Sequence, residues 1–478
     1  MGLVVLPPVM YLVVYAIYNL FINPLKTYPG PTFNAISRIP YALMLARGNS
    51  SRDIMAMHDK YGDVVRVAPD ELAFADPRAW KDIFSQRNGD IEKHNTDLTK
   101  LFDAPNIIDG NREDHRRFRR VLSQGFSAQA MLDQQPSIVK YVDLLISRLT
   151  ELCPRGPVDM VAWYNFTTFD IIGDLTCGEP FGCLQSGVYH PWIATIFSSI
   201  KVGTMVDAIS YFPWIKALLM SMVPKSALKK RDEIKTYTQL TVQKRLALGP
   251  TRPDFMQGII QRKGETALTV PEIESNAMIL ISAGSETIAT ALSGATYHVL
   301  SNPEVYIKVR DEVRKTFSSS DEIDLHSTAK LTYTAAVIEE TLRIYPPVPT
   351  SALRKIGPTG HSICGEHVPP NTKVGLWQYA IYHNPRFFKH PKRFAPERWL
   401  GDPEYTDDVK EHLNPFHLGP RDCIGKNLAY AEMRLIFAKL IYNFDMELDP
   451  VSKDWADQKM YLFWEKGELK VRLTPAPR

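Results

Sequence analysis

A loop near the C-terminus holds a single cysteine among residue types that could support metal binding. Residues 416–425 read FHLGPRDCIG, and the run after them has the apolar spacing of a helix. A thiolate ligand must be deprotonated, partly shielded from water and steadied by donors around its sulfur. The positive end of the following helix favours the thiolate of Cys423, Phe416 can cover the sulfur, and Arg421 can pair with a carboxylate of a bound ligand. The loop therefore predicts a cysteine ligand to a metal, although a lone cysteine is normally a small buried apolar residue.

Two glycines bracket this cysteine. Gly419 precedes Cys423 by four residues and Gly425 follows it by two. Because glycine lets the backbone turn tightly and come close to other groups, we expect both positions to bring the loop against a flat ligand.

The longest helical pattern in the chain has an acid at its centre. Residues 269–272 read TVPE, a capping box with proline at the first helical position, and the pattern continues to Ser301 before an Asn-Pro stop. Between residues 275 and 303, Glu286 is the one acidic or basic side chain apart from histidine. A carboxylate at the centre of a bilayer would cost about 2.5–3.5 kcal/mol or more. We therefore interpret the segment as a buried core helix rather than a membrane span.

The middle of that helix, residues 283–287, reads AGSET. Glycine next to an acid and a threonine is poor helix material. The residues could be a packing glycine and a threonine bonded back to its own helix. Alternatively, the helix opens locally and offers a hydroxyl and an acid to a buried ligand. The residues by themselves leave both interpretations open.

Glu340 and Arg343 lie three residues apart in the run VIEETLRIYPP, just before a proline stop. An exposed pair at this spacing would contribute only about 0.2–0.5 kcal/mol. The neighbouring residues Val337, Ile338 and Leu342 are apolar, however, so a buried pair with a further partner is the alternative.

A basic segment, residues 111–120, reads NREDHRRFRR. His115 and Arg119 fall on one helical face. A second stripe, at a spacing of four, comprises Arg112, Arg116 and Arg120. Such a cluster is usually a solvated face; the alternative is an anion site beside a surface for a partner.

Composition excludes several other classes of protein. The chain has 478 residues and a net charge of +3, too small to indicate binding of nucleic acid. Its five cysteines form no CxxC pair, which predicts a reducing compartment and neither a disulfide framework nor a zinc site. No internal repeat or low-complexity linker divides the chain, so we expect one large domain, mostly helical.

The N-terminus has a different composition. Residues 1–24 contain no Asp, Glu, Lys or Arg, and residues 3–22 are mostly apolar, which is long enough for one membrane-spanning helix kinked near its start by Pro7 and Pro8. A cleaved secretory signal would have a basic start and a clear cleavage site, and the segment has neither. Basic residues that follow it are Lys26, Arg38 and Arg47. By the positive-inside rule they place the remainder of the chain in the cytosol.

Several of these segments together resemble motifs of the cytochromes P-450, the haem-thiolate monooxygenases. The cysteine loop fits the family pattern Phe-x-x-Gly-x-Arg-x-Cys-x-Gly at every fixed position. Residues 283–287 resemble the oxygen-activation segment of the family's long central helix, and residues 340–343 resemble its Glu-x-x-Arg motif. Residues 394–399 resemble the segment whose arginine, here Arg398, completes that buried pair.

A fifth match is less complete. The family's Trp-x-x-x-Arg motif corresponds to His115 and Arg119, with histidine in place of tryptophan. The chain is most similar to microsomal members of filamentous fungi that serve secondary metabolism. The resemblance implies an α+β fold, mainly helical with small β-sheets and a long central helix over the haem. It also implies two units, a transmembrane anchor over residues 1–25 and a haem-binding catalytic domain over residues 26–478.

The resemblance implies roles for individual residues. Cys423 would be the axial thiolate ligand of haem b, and Thr287 and Glu286 would serve oxygen activation and proton delivery. Residues implied in binding the haem, several of them at its propionates, are Arg421, Arg119, His115, Arg354, Phe416, Gly425 and Ala283. Glu340, Arg343 and Arg398 would form a structural triad that holds the cysteine loop against the core.

The implied partners follow from what the chain lacks. It has no dinucleotide-binding fingerprint, so electrons would come from NADPH–cytochrome P-450 reductase in the same endoplasmic reticulum membrane, with cytochrome b5 as a second donor. The basic stripe and Lys426 would face the reductase. His417, beside the ligand loop, would contact either a propionate or that docking surface.

The implied reaction is insertion of one atom of O2 into a lipophilic small molecule, by hydroxylation or epoxidation. The alternatives are desaturation, ring closure or oxidative coupling at the same haem, or a membrane haem sensor without turnover. By resemblance, the substrate pocket would be lined by residues 102–108, Ile279, Ala283, residues 348–353 and residues 462–464.

Overall fold

The computed structural model describes residues 2–85, 91–94, 104–223, 225–262, 264 and 266–477. Helices dominate, and the strands form three small sheets, which confirms the expected mainly helical fold with small β-sheets. The helices are α1 (Gly2–Ile17), α2 (Thr32–Ile36), α3 (Ile39–Arg47), α4 (Ser50–Tyr61), α5 (Ala79–Phe84), α6 (Arg112–Leu122), α7 (Ala128–Leu152), α8 (Met160–Cys177), α9 (Cys183–Ser186), α10 (Pro191–Ser210), α11 (Pro213–Ser221), α12 (Lys225–Ala247), α13 (Phe255–Gln261), α14 (Val270–Leu300), α15 (Pro303–Thr316), α16 (Thr332–Ile344), α17 (Gln378–Tyr382) and α18 (Lys426–Asn443).

The strands are short and come from distant parts of the chain. They are β1 (Val64–Ala68), β2 (Glu71–Phe74), β3 (Ile91–Lys93), β4 (Val158–Asp159), β5 (Arg354–Ile356), β6 (His361–Ile363), β7 (Glu366–Val368), β8 (Lys373–Leu376), β9 (Phe444–Leu448) and β10 (Lys470–Pro475). The largest sheet has the order β1-β2-β8-β5-β3, in which the β2–β8 pair is parallel and the other pairs are antiparallel. A second sheet has the order β4-β10-β9, and β6 pairs with β7.

Two apolar cores stabilise these layers. One lies among α7, α8, α14, α16 and α18 and includes Leu145, Phe169 and Ile281. The other surrounds the five-stranded sheet and includes Phe74 and Trp80. Each fully buried large apolar side chain contributes about 1.5–3 kcal/mol relative to its exposed state. Helices and sheet are thus held by separate apolar clusters. The loop of residues 416–425 contacts both, through Phe416 and Ile424 in the first and Leu418 in the second.

The central helix α14 begins at its capping box. The backbone N–H of Thr269 donates to Oε2 of Glu272 at 2.8 Å, and the threonine side chain accepts in return from the helix. The helix has 31 residues and is buried along most of its length, as the sequence predicted. It packs closely against α8, where a Cβ on Gly284 would lie 2.7 Å from Cδ1 of Ile172.

The structure of the middle of α14 distinguishes between a packed, continuous helix and a locally opened one. The helix is continuous through residues 283–287, so the local opening is not seen. Gly284 is a packing glycine, and the Thr287 hydroxyl donates to the Ala283 carbonyl at 2.7 Å. The threonine is therefore bonded back to its own helix, and any ligand meets an intact helical face.

Glu340, Arg343 and Arg398 form a buried ionic triad. Arg343 donates to both carboxylate oxygens of Glu340, at 2.7 and 2.9 Å, and Nε of Arg398 donates to Oε2 at 3.2 Å. None of the three side chains is exposed, so the interpretation as an exposed ion pair is wrong and the buried alternative is confirmed.

The triad is linked to the cysteine loop through a tyrosine. Nη1 of Arg343 donates to the Tyr382 carbonyl at 2.9 Å, and the Tyr382 hydroxyl accepts from the backbone N–H of Asn414 at 2.9 Å. The Asn414 carbonyl in turn accepts from the N–H of His417 at 3.0 Å. A fixed hydrogen-bonded path therefore runs from the triad to the start of the loop that carries Cys423.

The N-terminal segment is helical and outwardly apolar. Tyr18–Ile22 continues α1 as a turn of π-helix, and most large side chains from Met10 to Ile22 are exposed. Among the described residues, α14 is the helix long and apolar enough to cross a membrane, and it is 72% buried over its most apolar stretch; Met10–Ile22 is a shorter apolar helix. The end of this segment is fixed to the sheet, because buried Arg66 donates to the Asn19 carbonyl at 2.9 Å.

Candidate active site

The loop before α18 holds Cys423 in a defined backbone conformation. The N–H of Cys423 donates to the Phe416 carbonyl at 2.9 Å, and the N–H of Asp422 donates to the Gly419 carbonyl at 3.1 Å. Gly419 has a φ of +80°, and a Cβ there would lie 2.0 Å from the Phe84 carbonyl oxygen. The loop therefore needs glycine at this position both for its turn and for its contact with the end of α5.

Gly425 differs from Gly419. Its φ is −89°, and a Cβ there would meet Phe126 at 3.7 Å, an ordinary contact. Gly425 lies in a turn, as expected, but its negative φ does not require glycine there. Its close approach to a bound ligand stays a prediction.

Cys423 is accessible to solvent, but protein groups surround its thiol. Burial by these groups raises the pKa of the thiol. The backbone N–H of Gly425, Arg119 and Lys426 act in the opposite direction, while Asp422 adds to the increase. Donors that steady a thiolate are therefore in place, as metal ligation requires.

Other metal-ligating side chains do not gather around Cys423. Within the described ranges, His, Cys, Asp and Glu side chains form no cluster of three or more that could hold a metal ion.

A cationic cavity adjoins this loop. It encloses about 700 Å³ and its wall includes Lys93, His115, Arg119, Arg354 and Arg421. Lys93 and Arg354 come from the paired strands β3 and β5. His115 and Arg119 come from α6, and Arg421 comes from the cysteine loop. Elements far apart in sequence thus direct their cationic groups to one space.

These cations have fewer partners than their burial demands. Nη2 of Arg421 donates to the Gly110 carbonyl at 2.8 Å, whereas Nη1 of Arg421 and Nη1 of Arg354 are buried with no hydrogen-bond acceptor among the described residues. Unpaired buried donors are costly, by about 1–3 kcal/mol each and more for charged groups. Each of these two guanidinium groups therefore keeps a donor that a carboxylate of an anionic ligand could bind.

The electrostatics of the cavity agree with this geometry. Burial, then Arg354 and Arg421, lower the pKa of Lys93 to about 7. Burial, then Arg421 and Arg119, lower the pKa of His115 to about 4, and burial with Arg421 lowers that of Arg354 to about 10. The groups repel one another, and a dianion among them would relieve both the repulsion and the unpaired donors.

Haem fits this donor set. Its iron accepts a thiolate, and its two propionates match the unpaired guanidinium groups of Arg354 and Arg421 beside Lys93 and neutral His115. Phe416 lies under the loop, where its ring contacts Tyr430 at a centroid distance of 5.0 Å. Most of the residues that the sequence predicted for the cofactor are therefore gathered around one loop and one cavity.

Arg119 and His417 have contacts that the sequence did not indicate. Arg119 lines the cavity, forms an ion pair with Asp422 and donates to the Asp422 carbonyl at 2.6 Å, so it joins α6 to the cysteine loop. The ring of His417 packs edge-on against Trp80 and Phe84 at centroid distances of 5.3 and 5.0 Å. Phe84 lines the cavity, and a contact of His417 with a propionate or a docking surface stays a prediction.

Sequence reasoning missed Lys93. The residue ends a three-residue strand, and Nζ donates to the Ile108 carbonyl at 2.5 Å. No spacing or motif in the sequence marks it, because the other cationic side chains of the cavity wall come from residues at least 19 positions away.

The accessible face of α14 carries two of the predicted residues. Ala283 is exposed and Thr287 is partly exposed, although Ser285, Glu286 and Ile288 are buried. Ala283 and Thr287 are one helical turn apart and share that face, and α14 packs against α18, which follows the cysteine loop. A core helix with an accessible Ala–Thr face is suited to border a ligand.

The side chain of Glu286 does not share the accessible face of α14 that carries Thr287. Its carboxylate forms a buried ion pair with Lys466, and the Thr290 hydroxyl lies 3.4 Å from Oε1. Sequence adjacency therefore does not make the acid and the Thr287 hydroxyl direct neighbours.

The predicted substrate pocket is partly described. Phe102 and residue 103 lie outside the described residues, while Ile279 and residues 350–353 are partly exposed. Trp464 is buried, stacks on Tyr345 at a centroid distance of 4.2 Å and donates to the Pro346 carbonyl at 2.7 Å, so it supports the pocket region rather than lining it.

Comparison with known proteins identifies the family. The family model for cytochrome P450, here written cytochrome P-450, matches residues 29–471. A cytochrome P-450 monooxygenase of Talaromyces wortmannii is 43% identical, covering 98% of this chain and 95% of the relative. The trichothecene C-15 hydroxylase of Fusarium sporotrichioides is 43% identical over 97% of this chain and 96% of the relative. The averantin hydroxylase of Dothistroma septosporum is 42% identical over 96% and 88%.

Proposed function

We propose that this chain, which belongs to the cytochrome P-450 family and is a haem-thiolate monooxygenase, hydroxylates or epoxidises a lipophilic small molecule of fungal secondary metabolism. The observation that carries the proposal is the Cys423 loop beside a cavity of unpaired cations, which suits one thiolate-ligated, doubly carboxylated cofactor. Two relatives are named as hydroxylases of averantin and of a trichothecene at C-15.

Haem, when bound, supplies the activation of O2. The chain's own residues hold it and control protons. Cys423 would ligate the iron, and Arg354, Arg421, Lys93 and His115 would bind the propionates. The Thr287 hydroxyl, on the accessible face of α14, would donate or relay a proton, with Glu286 as the acid that resupplies it.

The docking surface for an electron donor would lie at the open rim of the cationic cavity. Arg112, Arg116 and Arg120 on α6 line that rim, and they and Lys426 at the start of α18 are all exposed. An acidic face of NADPH–cytochrome P-450 reductase, or of cytochrome b5, would be attracted there and placed near the cysteine loop.

Membrane attachment at the endoplasmic reticulum, with the catalytic domain in the cytosol, is part of the same proposal. The exposed apolar residues of Met10–Ile22 support it. So do Trp214, Leu218 and Met222, exposed apolar residues in and after α11. This helix follows Tyr211, whose ring lies 4.3 Å from the Arg38 guanidinium near the N-terminal segment. The two apolar surfaces could therefore meet one lipid interface.

The reduced carbon monoxide difference spectrum tests the central assignment. We expect the purified full-length protein to show a strongly red-shifted Soret band, and Cys423→Ala to lose it. Cys183→Ala is a matched control, because Cys183 is buried in the helical core far from any proposed ligand role. A Soret band typical of histidine ligation, or a normal spectrum from Cys423→Ala, would contradict thiolate ligation. Spin-state titration with a library of lipophilic terpenoids and polyketides would then define the substrate class.

A further inference from the structure

Lys466 is a buried lysine with a specific anionic partner. Its side chain is 4% exposed and that of Glu286 is 6% exposed, and the two form an ion pair. Nζ also donates to the Thr290 hydroxyl at 2.6 Å. Lysine is almost never fully buried unless it is paired, so this contact determines where the C-terminal segment meets α14.

The pair leaves the two oxygens of Glu286 in different situations. Oε1 is held by Lys466, with the Thr290 hydroxyl 3.4 Å away. Oε2 is buried and has no hydrogen-bond partner in the part of the chain that the structure describes. A carboxylate fixed at one oxygen and free at the other can bind and release a proton without losing its position.

The position of Lys466 in the chain connects this acid to the predicted pocket region. Residues 462–464 end two positions before it, and strand β10 begins four residues after it. Trp464 is fixed by its stacking on Tyr345 and its bond to Pro346. The lysine therefore extends from a rigid turn onto the centre of α14, 180 residues away in sequence.

Stability by itself is a weak reason for this arrangement. Replacing a buried ion pair with apolar residues of similar volume is often neutral or stabilising, because burial removes water from both charges. An apolar pair could join these two segments equally well. The ammonium does what an apolar group cannot: it fixes the direction of the carboxylate and balances its charge.

We propose that Lys466 is a positioning residue for proton delivery by Glu286, holding Oε1 so that Oε2 serves as the proton-carrying oxygen. This rests on the proposed role of Glu286. Because the Glu286 carboxyl and the Thr287 hydroxyl are not direct neighbours, a proton that leaves Oε2 would reach Thr287 through water, and water would return a proton to Oε2. The carboxylate, its charge balanced by Lys466, returns to its starting state.

The test uses the full-length haem protein with reductase, NADPH and dioxygen and no added substrate. The variants are Lys466→Met, Lys466→Arg, Glu286→Gln and the double variant Lys466→Met with Glu286→Gln. Lys459→Met is the matched control, an exposed lysine on the same segment. The measurements are the hydrogen peroxide formed per NADPH, the solvent isotope effect on NADPH oxidation, and the unfolding temperature.

We expect Lys466→Met to raise the peroxide yield about threefold and to increase the solvent isotope effect, because a misplaced acid delivers protons slowly. Lys466→Arg should restore most of the wild-type yield, and Lys459→Met should leave it unchanged. The double variant should unfold at a higher temperature than Lys466→Met, since it no longer buries a single charge. It should match Glu286→Gln in peroxide yield.

Separate results overturn the two proposals. If Glu286→Gln changes neither the peroxide yield nor the isotope effect, Glu286 has no role in proton delivery and the inference about Lys466 falls with it. If Glu286→Gln changes them and Lys466→Met does not, Lys466 is structural only. Should Lys466→Met not fold, Lys466→Arg replaces it. An isotope effect for Lys466→Arg that equals that of Glu286→Gln would then contradict positioning by a cation, as both cations should support it.

Discussion

Buried arginines occur both in the triad and in the cationic cavity, but their guanidinium groups are fully paired in the triad and only partly paired in the cavity. In the triad, Glu340 accepts from two arginines, and their remaining donors reach backbone carbonyls and the Asp408 carboxylate. In the cavity, Arg354 and Arg421 each keep a buried donor without an acceptor among the described residues. Complete pairing indicates a structural role, because nothing is left to bind. Incomplete pairing indicates that a ligand completes the site.

The largest expected effect comes from breaking the triad. Glu340→Gln would leave two buried arginines short of one negative charge, and loss of one partner from a buried pair costs about 3–5 kcal/mol. We expect little folded haem protein, measured as the reduced carbon monoxide signal per unit of expressed chain.

The matched control for the triad is Glu151→Gln. Glu151 also pairs with an arginine three residues away, Arg148, but its side chain is 53% exposed. Exposed pairs contribute about 0–1 kcal/mol, so yield should be unchanged. Equal losses in the two variants would show that pairing in the triad does not determine the fold.

The next effect concerns ligand binding instead of folding. Arg421→Met removes a guanidinium group whose Nη1 has no acceptor among the described residues. A hydrogen bond from such a charged group to a haem propionate is worth about 1.5–3 kcal/mol. We expect haem to transfer to apomyoglobin about 10- to 100-fold faster, while the haem-free protein is no less stable. Lys355→Met, at an exposed position on β5, should leave the transfer rate unchanged. If the haem-free Arg421→Met protein is less stable than the haem-free wild type, Arg421 has a structural role like that of the arginines in the triad.

A pH effect distinguishes the loaded from the unloaded cavity. Lys93 has a pKa near 10.5 when unfolded, and burial with the neighbouring arginines lowers it to about 7 in the folded chain. Between these values the unfolded state binds more protons, so the free energy of unfolding of the haem-free protein should rise with pH. For one group the slope is at most about 1.4 kcal/mol per pH unit.

Denaturant unfolding of the haem-free protein from pH 7 to pH 10 measures this slope. Lys93→Met should flatten it, and bound haem should also flatten it, because the propionates would stabilise the charged lysine. A slope that is unchanged by Lys93→Met would exclude this lysine as its cause.

The smallest effect belongs to the exposed stripe. Arg116→Glu with Arg120→Glu should slow the first electron transfer from the reductase about tenfold at low salt and less at high salt, since exposed charges act mainly on association. The carbon monoxide spectrum should be unchanged. Reversal of exposed Lys60 and Lys81, on other helices, is the control, and an equal slowing there would point to net charge instead of a defined surface.

Local features were accurately predicted from sequence. The capping box at Thr269 begins α14, and Gly419 has the positive φ that its turn requires. Both depend on residues within a few positions of each other, for which side-chain chemistry limits the backbone strongly. Gly425 was predicted in the same way and also lies in a turn, but with a negative φ that other residues can adopt.

What the sequence by itself determined is the family and the central helix, and it named the cysteine loop and most of the side chains proposed to bind the cofactor. Only the tertiary structure decided how the charges are paired: Arg119 with Asp422 and Glu286 with Lys466, whereas Lys93 donates to the Ile108 carbonyl. The physical reason is separation along the chain. Asp422 is 303 residues from Arg119 and Lys466 is 180 from Glu286, so no local pattern encodes their contact. Pairing in a buried site depends on which elements pack together, and that decides whether a charge supports the fold or remains available to a ligand.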